Sequence, residues 1–490
     1  MITEAQNSRG KIVFNDFSKI DLVGKSSQNN ISCMQIYNFN NNAGVLESGL
    51  GLQDLQMYMQ NDITSRRATL NYQALGLEYI NKVMHFKQYF SVSGDTTHRL
   101  LVHGADGKLY VYQMFSNVNN LNWTYELSFT TMPIVLEYKK DGLDSILISA
   151  NDKLIVWSTG RVPYELTNVP TITSMCVHND VLYCTIAGET DNIWYTSNLN
   201  PESVGSVSET TDYVVLSDER GGCRKILTFK ENVYVFRDYG ISRLNTYAKK
   251  APTYNQIYLS NSKIYPNTVV VCGDCIVFMT SDGLYKFNGA SVSKIEVLPQ
   301  KLIAIANNYA CATNLQDKYY LAVKLNFDDG QIVGCEANSE MKNNALIEFN
   351  LQNNSFQILR GVDIKDMLAL KAEFEEKIIA TFNSTYKDKI AEITNDGKCF
   401  DEILPKAYYS NYIVQDDLTD ITIRKVIVES SKDVKFTIIT DNGNYIFNTY
   451  TDGINEFQTI MPCRKFKIQI STSTQNPYVN IIQLEYVKRK

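Results

Sequence analysis

The residues best able to do chemistry in this chain are its cysteines, its four histidines and a recurring set of turn aspartates. Cys272-Gly-Asp-Cys275 has the Cys-x-x-Cys spacing. In a thioredoxin-like setting that spacing makes a redox pair; beside a second such pair it supplies four sulfurs to zinc. No second pair lies near it, and the flanking Val269-Val-Val271 and Ile276-Val-Phe278 are strand formers. The two thiols are therefore expected to be structural, at a hairpin turn. Cys176 and Cys184, on adjacent predicted strands, are expected to be small core residues. His85, His98, His103 and His178 stand in no His-Glu-x-x-His motif or helical zinc spacing, so core or surface roles are expected of them.

Carboxylates come next. Asp106, Asp152, Asp180, Asp274, Asp282 and Asp317 could in principle pair as the acid and base of a glycosidase. Each instead occupies the equivalent turn of a repeating unit, or a neighbouring turn, where aspartate caps its own turn. The Ser-x-Asp-x-Gly-x-Thr-Trp box of sialidases is absent, and Thr280-Ser-Asp-Gly-Leu-Tyr285 matches it only loosely. Asp328-Asp329 and Asp416-Asp417 are acid pairs of the kind that hold calcium in a loop, and equally of the kind that line any solvated loop. Gly49-Leu-Gly51 is a lone Gly-x-Gly, and there is no phosphate loop and no Gly-x-Ser-x-Gly elbow. The expectation is a protein with no catalytic residue, no cofactor and no metal, and not an enzyme.

The elements that carry these residues repeat. A polar turn followed by an alternating β-branched and aromatic strand occurs at Gly104–Tyr112, Ala150–Trp157, His178–Cys184, Lys230–Phe236, Cys272–Phe278 and Leu315–Val323, with a weaker copy at Phe374–Ala380. Asp, Asn and Gly build the turn; Val, Ile, Tyr and Phe suit a pleated, buried surface. Most copies follow another apolar strand, such as Arg99-Leu-Leu-Val102 or Ile226-Leu-Thr-Phe229, and precede a third, such as Asn192-Ile-Trp-Tyr195 or Gly283-Leu-Tyr-Lys-Phe287. Three or four strands every ~30–60 residues is the rhythm of a propeller blade. Neither the Trp-Asp ending of WD40 repeats nor the recurring double glycine of kelch repeats is present; Gly221-Gly222 is the one pair. The fold class expected is all-β: a β-propeller of six or seven blades over 46–403, with an N-terminal arm over 1–45 and a C-terminal β-sandwich over 404–490. The arm is read from its dense Asn, Gln and Ser. The sandwich is read from five alternating strands, among them Ile421–Val428, Phe466–Ile470 and Val479–Val487.

Composition narrows the class. The chain has 490 residues, of which 44% are hydrophobic, 20% charged and 11% aromatic, with 31 Tyr. That is ample for a core and unlike a helical bundle or coiled coil. With 47 Lys+Arg against 53 Asp+Glu the net charge is −6, which argues against a surface that grips nucleic acid all over. The start has no basic apolar leader, and no apolar run is long enough to span a membrane as a helix. Ten Cys in that context read as reduced thilols made in a cytoplasm.

Two stretches carry a resemblance. Ile36-Tyr-Asn-Phe-Asn-Asn-Asn-Ala-Gly-Val-Leu-Glu-Ser-Gly-Leu-Gly51, together with Arg464-Lys-Phe-Lys-Ile-Gln-Ile470 and the final Ile481-Ile-Gln-Leu-Glu-Tyr486, resembles a family of tailed-bacteriophage virion proteins that includes tail nozzle and packaged-DNA stabilisation proteins. The family's usual Arg-x-Gly stands here as Glu47-Ser-Gly49, so no contact of that arginine carries over. The resemblance implies a homo-oligomeric, six-fold ring below the portal and adaptor, in the virion neck or tail. Such a ring retains the packaged genome and conducts it at ejection, with passing contact to phage DNA and no membrane insertion. The alternatives are a glycan-binding or glycan-cleaving propeller, which requires acidic and aromatic residues at one mouth, and a generic protein-binding propeller scaffold.

Overall fold

The computed structural model describes every residue except 1–8, 18–32, 42–43, 60–65, 115–120, 128–130, 206–210, 247–250, 297, 299–302, 305, 327–339, 373–374, 415–419 and 489–490. Strands follow one another from Arg9 to Lys488, interrupted among the described residues only by three 3-10 turns.

Seven antiparallel sheets form a β-propeller. Six are built from four consecutive strands each, over 80–126, 134–167, 172–215, 223–259, 270–295 and 311–360. In each, strand order in the sheet equals order in the chain, the up-and-down meander of a blade. The first strand of blade one packs on the second of blade two, the first strands of blades two to four and of blades five to seven pack in turn on one another, and the first strand of blade seven packs back on that of blade one. Buried faces such as Leu182-Tyr183-Cys184 and Ile276-Val277-Phe278 show why: central strands are covered on both sides by adjacent blades.

The repeated polar turn is a tight two-residue loop in blades two to six and a three-residue one, Ala105–Gly107, in blade one. Asn179 and Asp180 take φ of 49° and 60°, and Lys230 and Glu231 take 46° and 59°. Both central residues are left-handed, as the twist of a hairpin demands, and Asn and Asp tolerate that conformation best. In blades three to six this turn joins the first strand to the second. In blades one and two it joins the second to the third. That displacement accounts for the uneven spacing of the motif in the sequence.

Blade seven is different in kind. Ile364–Ala372, Glu375–Phe382 and Ala391–Thr394 supply three strands, and the fourth is Gly51–Asp54 from the beginning of the chain. Ile393 lies opposite Leu52 and Glu392 opposite Gln53. Gly51 is required here: a Cβ would stand 2.1 Å from Asp396 Oδ1. A buried ion group sits beside the joint. Lys377 Nζ lies 2.5 Å from both Glu375 and Glu392, and also donates to the Gln56 carbonyl. Glu392 in turn accepts from the Gln53 amide.

Two further sheets stack into a sandwich. One runs Arg9–Phe14, Val479–Lys488, Ile421–Ser430, Gly453–Cys463. The other runs Cys33–Tyr37, Lys406–Ser410, Lys465–Thr472, Lys435–Thr440, Gly443–Asn448. The separate arm expected over 1–45 is therefore corrected. Its strands Arg9–Phe14 and Cys33–Tyr37 are edge members of the two sandwich sheets, in register with Val487–Ile482 and with Ser410–Ala407. The composition hid them because both are short and lie among Asn-rich residues. Sandwich and propeller share one core: Phe14, Phe17, Tyr408 and Ile470 belong to the same buried cluster as Tyr265, Met279, Tyr319 and Phe349 of blades five and six.

Lys377→Ala leaves two buried carboxylates uncompensated at the ring joint. It is expected to lower stability by about 3–5 kcal/mol, read as a fall in the urea midpoint. Replacing Lys377, Glu375 and Glu392 together by apolar residues should recover most of that loss, and an unchanged midpoint for Lys377→Ala alone would rule the ion group out as a latch.

Candidate interaction surface and axial channel

The stretch Ile36–Gly51 lies against both the sandwich and the propeller. Asn38, held at φ 58°, donates its side-chain amide to the Pro405 carbonyl and accepts from the Arg360 backbone N–H, at 2.7 and 2.8 Å. It thus ties the sandwich to the outer strand of blade six. Arg360 also lies over the Tyr37 ring, 5.0 Å from its centre. Gly49 packs so closely on the Asn38 backbone that a Cβ would meet it at 3.0 Å. Leu46 exchanges both backbone hydrogen bonds with Val479, at 3.1 and 2.9 Å. The segment Ile36–Gly51 is therefore the crossover from sandwich to propeller, and Val479 begins the strand that contains Ile481–Tyr486.

On one side of the sandwich both sheets end in a strand with a free edge, Gly443–Asn448 and Gly453–Cys463. Phe447 and Phe457 close the gap between them, ring centres 5.2 Å apart, with Tyr450 edge-on to Phe457. Around these rings Ile446, Tyr450, Ile454 and Ile460 are 56%, 61%, 63% and 65% exposed. Free edges are normally blunted by charge; between them these two strands carry one charged residue, Glu456. Charge is also unevenly divided. Segments 1–45 and 404–490 hold 15 Lys+Arg and 12 Asp+Glu of the chain's 47 and 53, leaving 32 and 41 for 46–403. The sandwich segments are thus +3 and the propeller −9.

The axial channel has its own cluster. The innermost strands of blades one, four and seven bring Lys82, Lys225 and Asp366 together. Lys82 Nζ lies 3.2 Å from Asp366 Oδ2. Lys225 has no hydrogen-bond or ion-pair partner among the described residues; burial chiefly, and Lys82, push its pKa down against the opposing pull of Asp366 and Cys176. Lys225 is half-buried on its strand, and the protein around it desolvates the charged form. Burial pushes the Cys176 thiol up to about 12, and that of Cys311, beside Asp366 and Lys82, up also. Nearby, Lys365 donates to Asn81 at 2.7 Å and is pushed down to about 8 by burial.

The residues singled out in the sequence are distributed through the blades. Asp106 accepts from the Lys108 backbone and from Tyr110, at 3.2 and 2.6 Å. Asp282 accepts from Thr280 and Tyr285, and Asp317 from Gln352 at 2.6 Å. Asp152, Asp180 and Asp274 are exposed turn residues. Cys272 and Cys275 face each other across their hairpin, and Cys275 donates to the Cys272 carbonyl at 3.5 Å. Both thiols are buried and raised by burial, Cys272 to about 12, so neither is a ready nucleophile. Eight described cysteines are free and buried. His85 and His98 stack, Nε2 to Nδ1 2.9 Å; buried His103 pairs with Asn81 at 3.2 Å, and His178 with Asn179 at 3.1 Å. Asp328-Asp329 and Asp416-Asp417 lie outside the described residues. Among the described residues no three His, Cys, Asp or Glu stand close enough to hold a metal, and no helix is long and apolar enough to cross a membrane. A hollow of about 490 Å³ between blades one and two gathers Phe90, Tyr125 and Trp157 with Arg99 and Arg161, and no carboxylate lines it.

Burial, and then His98, hold the His85 pKa down at about 4 against 6.5 when free. The unfolded chain therefore binds the extra proton between those values, and stability rises with pH there. The contribution is complete above about pH 6.5 and is lost as pH falls toward 4. His85→Gln should flatten the melting-temperature profile in that window; an identical slope in both proteins would exclude His85 as its source. Maleimide mapping by mass spectrometry should leave Cys272 and Cys275 unlabelled in the native protein and label them in urea, and rapid native labelling would contradict their burial.

No protein-family model and no curated protein matches the chain. Among solved structures it is similar to BamB from Moraxella catarrhalis, at 10% identity and a TM-score of 0.38, over 74% of this chain and 97% of that one. It is also similar to the extracellular domain of a hybrid two-component system from B. thetaiotaomicron, at 13% identity and a TM-score of 0.35, over 69% of this chain and 40% of that one. The seven-bladed assignment rests on the sheet order and ring closure described above; the chain is a β-propeller scaffold with a β-sandwich built from both its ends.

Proposed function

We propose that this protein is a structural, non-enzymatic propeller subunit that assembles with copies of itself through the double edge of its sandwich. The observation that carries this reading is the pair of adjacent, nearly uncharged free edges exposing Ile446, Tyr450, Ile454 and Ile460. An apolar patch of that kind marks an interaction surface. The occupant we favour is a second copy, because the +3 sandwich segments complement a −9 propeller. A sandwich-to-propeller contact is heterologous, and heterologous contacts close into rings when the rotation permits. The resemblance of Ile36–Gly51 and of the two C-terminal stretches supplies the finer reading. On it the ring is a six-fold neck or tail component of a tailed-phage virion, made in the bacterial cytoplasm, that docks on portal and adaptor, retains the packaged genome and conducts it at ejection. An acidic propeller suits a conduit, since many phosphate contacts would hold DNA rather than pass it.

Negative-stain microscopy and sedimentation velocity, with and without portal and adaptor, test this. The expected particle is a closed ring of six or twelve copies. Ile454→Asp combined with Ile460→Asp should reduce it to monomers while shifting stability by less than about 0.5 kcal/mol, as for surface substitutions generally. A protein that stays monomeric even with portal and adaptor overturns the proposal, as does a ring that survives the double substitution.

A further inference from the structure

The hollow between blades one and two is lined by two arginines with no counter-charge. Gln88 and Arg99 come from the first and second strands of blade one, Trp157 from the third strand of blade two, and Arg161, Val162 and Pro163 from the turn that follows it. The Arg99 guanidinium is fixed on two sides. Its Nε donates to Gln88 Oε1 at 2.6 Å, and its carbon lies 5.5 Å from the centre of the Trp157 ring. Gln88 and Trp157 are buried, and Phe86 braces Trp157 edge-on, ring centres 5.1 Å apart. With Nε engaged, the fork of the two terminal nitrogens is left, and it has no hydrogen-bond or ion-pair partner among the described residues. The side chain of Arg161, exposed at the rim, has none among them either. Glu165, the carboxylate whose charge reaches Tyr125 on the wall, is held by Lys153 at 2.9 Å. Burial pushes the Arg99 pKa down and no carboxylate pulls it back, yet an arginine keeps its proton at neutral pH. Two like charges facing one space repel, and desolvating one of them adds a further cost. An anion between them removes both.

We propose that this hollow binds a small ligand that carries a carboxylate on an apolar body. A guanidinium anchored through Nε presents its terminal fork, which grips a carboxylate with two parallel hydrogen bonds. The body lies against Phe90, Tyr125, Val162 and Pro163. The volume of about 490 Å³ is that of a small-molecule site. Sugars fit poorly, because no carboxylate of the described residues lines the hollow and Gln88 Oε1 is already taken. The walls come from two blades, so occupation ties blade one to blade two. The site stands independently of the ring reading and exists in a monomer as much as in an assembly.

The test is ligand-observed NMR titration of the full chain with sodium phenylpropionate. The controls are sodium acetate, which lacks the body, and phenylpropionamide, which lacks the charge. Phenylpropionate is expected to bind saturably and both controls more weakly by about tenfold or more, the loss that follows removal of a charge-assisted hydrogen bond or of its apolar support. Arg99→Met should weaken phenylpropionate binding by about tenfold or more. Arg161→Glu, on an exposed turn, should weaken it several-fold through like-charge repulsion and leave the melting temperature unchanged, so the proposal is tested even if Arg99→Met unsettles the blades. No saturable binding of phenylpropionate to the unmodified protein overturns the proposal. So does equal binding of the amide, or full-strength binding to a folded Arg99→Met or to Arg161→Glu.

Discussion

Everything in this molecule depends on four residues near its beginning finding a sheet near its end. Gly51–Asp54 is the fourth strand of blade seven, between Ala391–Thr394 and Lys398–Cys399, and without it Ala391–Thr394 is left with a bare edge at the seam of the ring. A propeller has no other lock: each blade packs on two neighbours, so one loose blade unsettles its neighbours in both directions. The seam also buries an ion group. Lys377, Glu375 and Glu392 sit within hydrogen-bonding distance of one another and reach the incoming strand through Gln53 and the Gln56 carbonyl. A buried ion group adds little net stability but tolerates few alternative arrangements. At a joint that must form in one register, that intolerance is useful.

The sandwich continues the same logic one layer out. Its two sheets recruit Arg9–Phe14 and Cys33–Tyr37 from one end of the chain and the rest of their strands from the other. Where the chain passes from sandwich to ring, Asn38 is left-handed and hydrogen-bonded to both bodies. The common core with blades five and six fixes the direction in which the sandwich's free edges point. A surface meant for a neighbouring subunit gains from such fixing, because less freedom is lost on association.

Much of the ring was legible in the sequence. Asn179-Asp180 and Lys230-Glu231 punctuate strands that alternate as a pleat requires, and such local signals place hairpins well. The seam was not legible. Leu52 pairs with Ile393 across more than three hundred residues, and no local pattern in Gly51–Asp54 announces a partner so distant. The outer strands were obscure for another reason: Tyr164–Thr167 and Val292–Ile295 are short and half exposed, so burial does not discipline their side chains into alternation. Arg9–Phe14 was lost among polar neighbours. The channel cluster was missed because Lys82, Lys225 and Asp366 are single charges on three separate strands. The available signal was a charge interrupting the first strand of a hairpin, as in Ile80-Asn-Lys-Val83 and Ile364-Lys-Asp-Met367, where an inner strand is otherwise apolar.

The placement of Arg9–Phe14 against Val479–Lys488 sets the order of events on the ribosome. Blades one to six can each pair their strands as they emerge, since strand pairing within each is between consecutive segments. Gly51–Asp54 must wait unpaired until Ala391–Thr394 has left the exit tunnel, and Arg9–Phe14 until the segment from Ile482 to Val487 has. While blades one to six are being made, the chain carries an orphan strand upstream of an open ring. A nascent chain stalled or truncated before residue 391 has no seam to close, so quality control is written into the topology.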